Sequence, residues 1–100
     1  GEDPLEAGKR ELKEETGAIA QEYISLGKLY PTPGYCDEVI HMYIATDLTQ
    51  GEQHLDYDEF VNTLKIPLSK AVDMVMAGEI KDSKTQTIIL KADKYFERQK

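Results

Sequence analysis

With a single cysteine, Cys36, the chain cannot form an intrachain disulfide or a cysteine-built zinc site, so packing and hydrogen bonds must hold the fold. That scarcity fits a reducing compartment. Tryptophan is absent, and no apolar run approaches the roughly 20 residues that a membrane-spanning helix requires. Gly1 to Arg10 is polar and charged, without the pattern of a secretory leader, and cytoplasmic residence is the expectation. Basic residues are also in short supply. Twelve stand against nineteen acidic ones, and the net charge of −7 opposes a nucleic-acid partner held through its phosphates. What remains is 40% hydrophobic and 31% charged, the composition of a folded soluble domain, and 100 residues suffice for one such domain. The acidic excess does not exclude a phosphate substrate, because carboxylates can gather divalent cations that in turn hold phosphate.

The first segment carries a full set of helix signals. Asp3 is placed as N-cap, Pro4 at the first helical position, Glu6 at the third position of a capping box, and Gly17 at the stop, predicting a helix over about 4–16. Beyond it, Ile19 to Tyr30 is β-prone but broken by Gly27, and Glu38 to Thr46 alternates with Ile40, Met42 and Ile44 on one face. Strands are predicted over about 19–30 and 38–46, separated by a stiff turn at Pro31, Pro33 and Gly34. Thr49 to Asp58 reads as an exposed acidic loop leading to a third strand at about 60–66. Two helices follow, at about 69–77 with Ser69 as cap and Gly78 as stop, and at about 83–98.

The first helix also carries the most telling chemistry. At about 100° per residue, Leu5, Gly8 and Leu12 share one stripe while Glu11, Glu14 and Glu15 lie on the next, so one side can pack while the other binds. Gly8 suggests a close approach of the helix backbone to its neighbour. Arg10 stands four residues before Glu14, the spacing of an ion pair across one turn. Three carboxylates on adjacent turns repel one another unless a cation neutralises them, and hard oxygen donors of this kind select magnesium or manganese over zinc. A Glu-rich helix is more often a solvated acidic face, so composition alone does not decide between the two readings. His41 and His54 are not spaced as a pair on any element and read as ordinary strand and loop residues.

Spacing decides it. Glu2, seven residues, then Arg10-Glu11-Leu12-Lys13-Glu14-Glu15-Thr16-Gly17-Ala18 resembles the Nudix box, with Glu2, Arg10, Glu11, Leu12, Glu14, Glu15 and Gly17 all in register. Two departures stand out: the box's leading glycine falls before Gly1, and Ala18 is a small occupant of the last aliphatic position. Leu29-Tyr30-Pro31-Thr32-Pro33-Gly34-Tyr35, with Pro33 fifteen residues beyond Ala18, is similar to the segment marking the ADP-ribose pyrophosphatase branch. Asp56-Tyr57-Asp58-Glu59-Phe60 resembles the acidic loop from which that branch supplies a further glutamate.

The resemblance implies an α/β (α+β) fold of the Nudix type, an α/β/α sandwich with a mixed sheet. The chain is expected to be a partial domain over 1–100, incomplete because the N-terminal strands are absent. It implies Glu11 and Glu15 as ligands of Mg2+ or Mn2+, with Glu14 and Glu59 as the catalytic pair, and Glu2, Arg10 and Gly17 as structural members of the motif. The implied reaction is metal-dependent hydrolysis of ADP-ribose, or a related nucleoside diphosphate sugar, to AMP and ribose 5-phosphate. The implied setting is a small-molecule nucleotide-sugar substrate, no nucleic acid, no membrane, and a homodimer. Other diphosphate substrates, an inactive assembly unit, and a nucleotide-binding module without turnover are the competing readings. Tyr30 and Tyr35 are placed near a nucleotide or a subunit contact, or simply in packing.

Overall fold

The computed structural model describes residues 1–32, 34, 38–51 and 65–100. Its elements are α1 (Pro4–Thr16), β1 (Ala18–Leu29), β2 (Ile40–Gln50), α2 (Leu68–Met76) and α3 (Ser83–Arg98). Among the described residues β1 and β2 form an antiparallel two-stranded sheet, so the chain is a partial α+β fold. The third strand expected at 60–66 lies mostly outside the described residues, and Lys65 and Ile66 are not in a strand.

α1 begins where its cap chemistry dictates. The Asp3 carboxylate accepts the Glu6 N–H at 3.3 Å, and Pro4, which lacks an N–H to orphan, takes the first turn. Glu6 does not turn its whole carboxylate to the cap, because Oε1 lies 3.4 Å from Lys9 Nζ. At the other end Gly17 adopts φ 77 and donates its N–H to the Lys13 carbonyl at 2.8 Å, a left-handed stop that glycine adopts without penalty.

β1 continues through Gly27, where the sequence pattern suggests a break. Gly27 takes φ 97 inside the strand, and the Lys91 ammonium of α3 donates to the neighbouring Leu26 carbonyl at 2.5 Å. A cation therefore occupies a carbonyl beside the positive-φ glycine of the strand. β2 likewise outruns its expected end at Thr46. Asp47, one of the side chains that tolerates positive φ, adopts φ 57, and the strand runs on to Gln50. Thr49 and Gln50 are thus strand residues, where the sequence predicts an exposed loop.

α2 starts one residue before the expected Ser69 cap. Pro67 occupies the N-cap position without a side-chain hydrogen bond, and Ser69 lies inside the helix. The stop is as its glycine suggests: Gly78 at φ 81 donates to Val75 O at 3.1 Å while Glu79 N–H reaches Met74 O at 2.9 Å, the paired bonds of a Schellman turn. α3 is capped by Asp82, which accepts the Thr85 N–H at 2.9 Å, and the helix packs against α2.

By its own contacts the chain divides into two units, Gly1–Ser25 with Tyr43–Leu64, and Leu26–Met42 with Lys65–Lys100. The first buries Ala18; the second buries Leu26, Met42 and Val75. Among the described residues no helix is long and apolar enough to cross a membrane.

Candidate functional site

Helix geometry puts Glu11 and Glu15 one turn apart on the same side of α1, and both are exposed. Glu14 is turned differently. Arg10 Nη1 donates to Glu14 Oε2 at 3.1 Å, while its Nε lies 3.2 Å from both Glu2 oxygens and its Nη2 lies 3.0 Å from Glu2 Oε1. The planar guanidinium thus holds two carboxylates at once, one from ahead of the helix and one from its last turn. Glu2 in the first place, and Glu14 after it, push the guanidinium still further above its ordinary range, so Arg10 is a permanent cation. Part of the repulsion expected among three neighbouring glutamates is removed in this way. Glu14 is offset by a cation of the protein itself and is half-buried, and Glu11 and Glu15 are the more exposed members of the set.

The packing side of α1 is the stripe of Leu5, Gly8 and Leu12, all half-buried. Gly8 faces Tyr43 of β2, but a Cβ added there would stand 3.8 Å from the ring's Cδ2, an ordinary contact. The helix touches β2 at that point, but the approach is ordinary and does not demand glycine. Lys9 meanwhile places its ammonium 5.5 Å from the centre of the Tyr23 ring of β1.

The C-terminal end of α1 is tied to the end of β2. The side-chain amide of Gln50 donates to the Thr16 carbonyl, and Gly51 donates its N–H to the Gly17 carbonyl at 2.8 Å. Thr16 closes the turn from within: its hydroxyl donates to Leu12 O at 2.6 Å and accepts the Ala18 N–H at 3.1 Å. Two of the carbonyls that a helix leaves orphaned at its end, those of Thr16 and Gly17, are thereby satisfied. Gln50 and Gly51 are participants that sequence reasoning missed, since the Gln50 bond spans 34 positions and no local pattern announces it.

The remaining predicted residues fall as follows. Glu59, His54 and Tyr35 lie outside the described residues; His41 is half-buried on β2, and Tyr30 is exposed just past β1. Among the described residues no group of three or more His, Cys, Asp or Glu side chains is arranged to hold a metal ion. Glu11 and Glu15 offer hard oxygen donors one turn apart, which by chemistry suit magnesium or manganese and not a soft metal.

The site among the described residues is a short capped helix with a glutamate pair on its surface, its own arginine as brace, and a glycine stop joined to a strand end. The NUDIX domain matches residues 1–85, and the chain belongs to that family. It is 37% identical over 87 residues to an ADP-ribose pyrophosphatase of Bacillus subtilis, covering 85% of this chain and 47% of that protein. To a methanol dehydrogenase activator of Bacillus methanolicus it is 40% identical over 87 residues, with the same 85% and 47% coverage. To a GDP-mannose pyrophosphatase of Salmonella typhimurium it is 34% identical over 84 residues, covering 81% of this chain and 44% of that one. The chain spans about half the length of the curated relatives it matches.

Proposed function

We propose that this protein hydrolyses the diphosphate bond of ADP-ribose, or of a related nucleoside diphosphate sugar, giving AMP and ribose 5-phosphate from ADP-ribose, with Mg2+ or Mn2+ as cofactor. The observation that carries the reading is the placement of Glu11 and Glu15 one turn apart and exposed on α1, beside a Glu14 that the Arg10 fork holds together with Glu2. Similarity to an ADP-ribose pyrophosphatase and to a GDP-mannose pyrophosphatase supports the substrate class.

In this reading Glu11 and Glu15 hold the ion. Glu14 assists from its place against Arg10, and Glu59 orients the attacking water or takes its proton. Glu2, Arg10 and Gly17 keep the helix and its carboxylates in place. When bound, divalent ions neutralise the diphosphate charge and lower the barrier to attack by water. The protein's own contribution is orientation. Arg10 holds Glu14 in place, while Glu11 and Glu15 beside it are exposed on the same helix. A homodimer in the cytoplasm belongs to the same reading.

The test is release of AMP from ADP-ribose by the purified full-length protein, run beside GDP-mannose and a dinucleoside polyphosphate, with and without Mg2+ or Mn2+. Turnover is expected only with metal, and Glu15→Gln is expected to lower it by more than about a hundredfold, beyond the range for losing an outer partner of a metal ligand. Metal-independent turnover, or none on any diphosphate, would sink the proposal.

A further inference from the structure

We infer that Gln50 and Gly51 are positioning residues for the metal-binding face of α1, acting through the backbone of its last turn. The inference rests on the reading of Glu11 and Glu15 as metal ligands, and it adds residues outside the motif. Glu15 sits one residue before Thr16, whose carbonyl is held by the Gln50 amide, and two before Gly17, whose carbonyl is held by the Gly51 N–H. Helix ends fray when their last carbonyls lack partners, and fraying there would move Glu15 relative to Glu11. The Gln50 amide also reaches Gly51 O at 3.3 Å, so one side chain braces both the helix end and the strand end that it joins.

Gly51 adds a steric half to this clamp. A Cβ at that position would stand 3.0 Å from Gly17 O, a backbone atom, so the helix exit and the end of β2 must give by a few tenths of an ångström to admit it. Two different substitutions therefore disturb the same turn by unrelated means. Gln50→Met keeps the length of the side chain and removes the donor; Gly51→Ala keeps the donor and forces the backbones apart.

The experiment uses the full-length protein and Mn2+ as the probe. Mn2+ binding is measured by electron paramagnetic resonance, and KM and kcat for ADP-ribose are measured at saturating Mn2+. Partners of metal ligands typically change metal affinity by 10- to 100-fold, and a residue acting through the backbone is expected at the low end, about tenfold weaker Mn2+ binding in Gln50→Met. Gly51→Ala is expected to weaken it as well. KM for ADP-ribose at saturating metal should stay at its wild-type value in both, and backbone amide exchange at Gly17 and Ala18 should quicken. A merely structural role would lower the unfolding midpoint and leave the Mn2+ affinity of the folded protein untouched. Wild-type Mn2+ affinity in folded Gly51→Ala overturns the inference even if Gln50→Met fails to fold. Glu15→Gln separates the two levels: if it weakens Mn2+ binding and the Gln50 and Gly51 variants do not, only the positioning role falls. If Glu15→Gln leaves binding unchanged, the ligand assignment falls and this inference with it.

Discussion

α1 and α2 are stabilised in opposite ways. α1 buries none of its residues, yet its start is capped by Asp3, its length carries the Arg10 fork, and its end is fastened to Gln50 and Gly51. α2 has no side-chain cap at its start, is more apolar, and buries Val75 while packing against α3. The difference follows from what each helix has to do. A helix that offers carboxylates to solvent cannot bury that face, so polar bonds at its ends take over the role that an apolar stripe has elsewhere. Substitutions inside α2 should therefore act on stability, and substitutions on the open side of α1 should act on chemistry.

The largest stability effect is expected at Val75. Truncation to alanine removes two methyl groups from a site 8% exposed, at about 0.8 kcal/mol each with a cavity contribution added, so Val75→Ala should cost about 1.5–2.5 kcal/mol. Urea unfolding followed by circular dichroism measures it. A cost below about 0.5 kcal/mol, the range of ordinary surface changes, would mean that burial does not hold α2 and would erase the contrast with α1.

How far each helix is legible in the sequence tracks the same contrast. The signals of α1 are local: the cap at Asp3, proline at the first turn, arginine four residues before Glu14 and glycine at the stop all lie within one continuous stretch, and the helix runs Pro4–Thr16 as they suggest. The start of α2 escapes such signals because Ser69 is a good cap by type, while Pro67 and its fixed φ enter the helix ahead of it. The alternation of β2 gives out at Thr46, and nothing in the pattern reveals that Asp47 turns to φ 57 and lets the strand continue. The clamp at Gln50 is invisible for a different reason. It depends on a contact between residues far apart in the chain, and period and propensity report only near neighbours. Glu59 rests on its loop's likeness alone and lies outside the described residues.

A smaller effect of opposite sign is expected on α1 itself. Glycine inside a helix is less favourable than alanine by about 0.5–1 kcal/mol, and the methyl added by Gly8→Ala meets only the Tyr43 ring at ordinary contact distance. Gly8→Ala should therefore raise stability by about that amount in the same urea experiment. A loss of stability would show that α1 packs more tightly than a polar-anchored helix should, and the comparison with α2 would need redrawing.

The smallest effect belongs to the cap of α3, and it is legible through pH. Asp82 is held at a pKa of about 2, below its ordinary 3.8, first by the Lys84 ammonium at 2.7 Å, then by the Thr85 hydroxyl at 2.7 Å and the Thr85 N–H at 2.9 Å. A carboxylate whose folded pKa is depressed adds stability that is fully present above its unfolded pKa and disappears as pH falls through the folded one. In Asp82→Asn the new side chain would still accept the Thr85 N–H as a cap, because asparagine and aspartate cap about equally well, but it has no charge to lose. The stability gap between the wild-type protein and Asp82→Asn should therefore be constant above the ordinary carboxylate range and close between pH 3.8 and about 2. Because the group is exposed, added salt should narrow the gap at neutral pH. A gap that stays the same from neutral pH down to pH 2 would mean that folding does not depress the Asp82 pKa, and that the ion pair with Lys84 adds nothing to the cap. The α3 cap would then resemble the Asp3 cap of α1 in kind, differing only in its shorter bond, 2.9 Å against 3.3 Å.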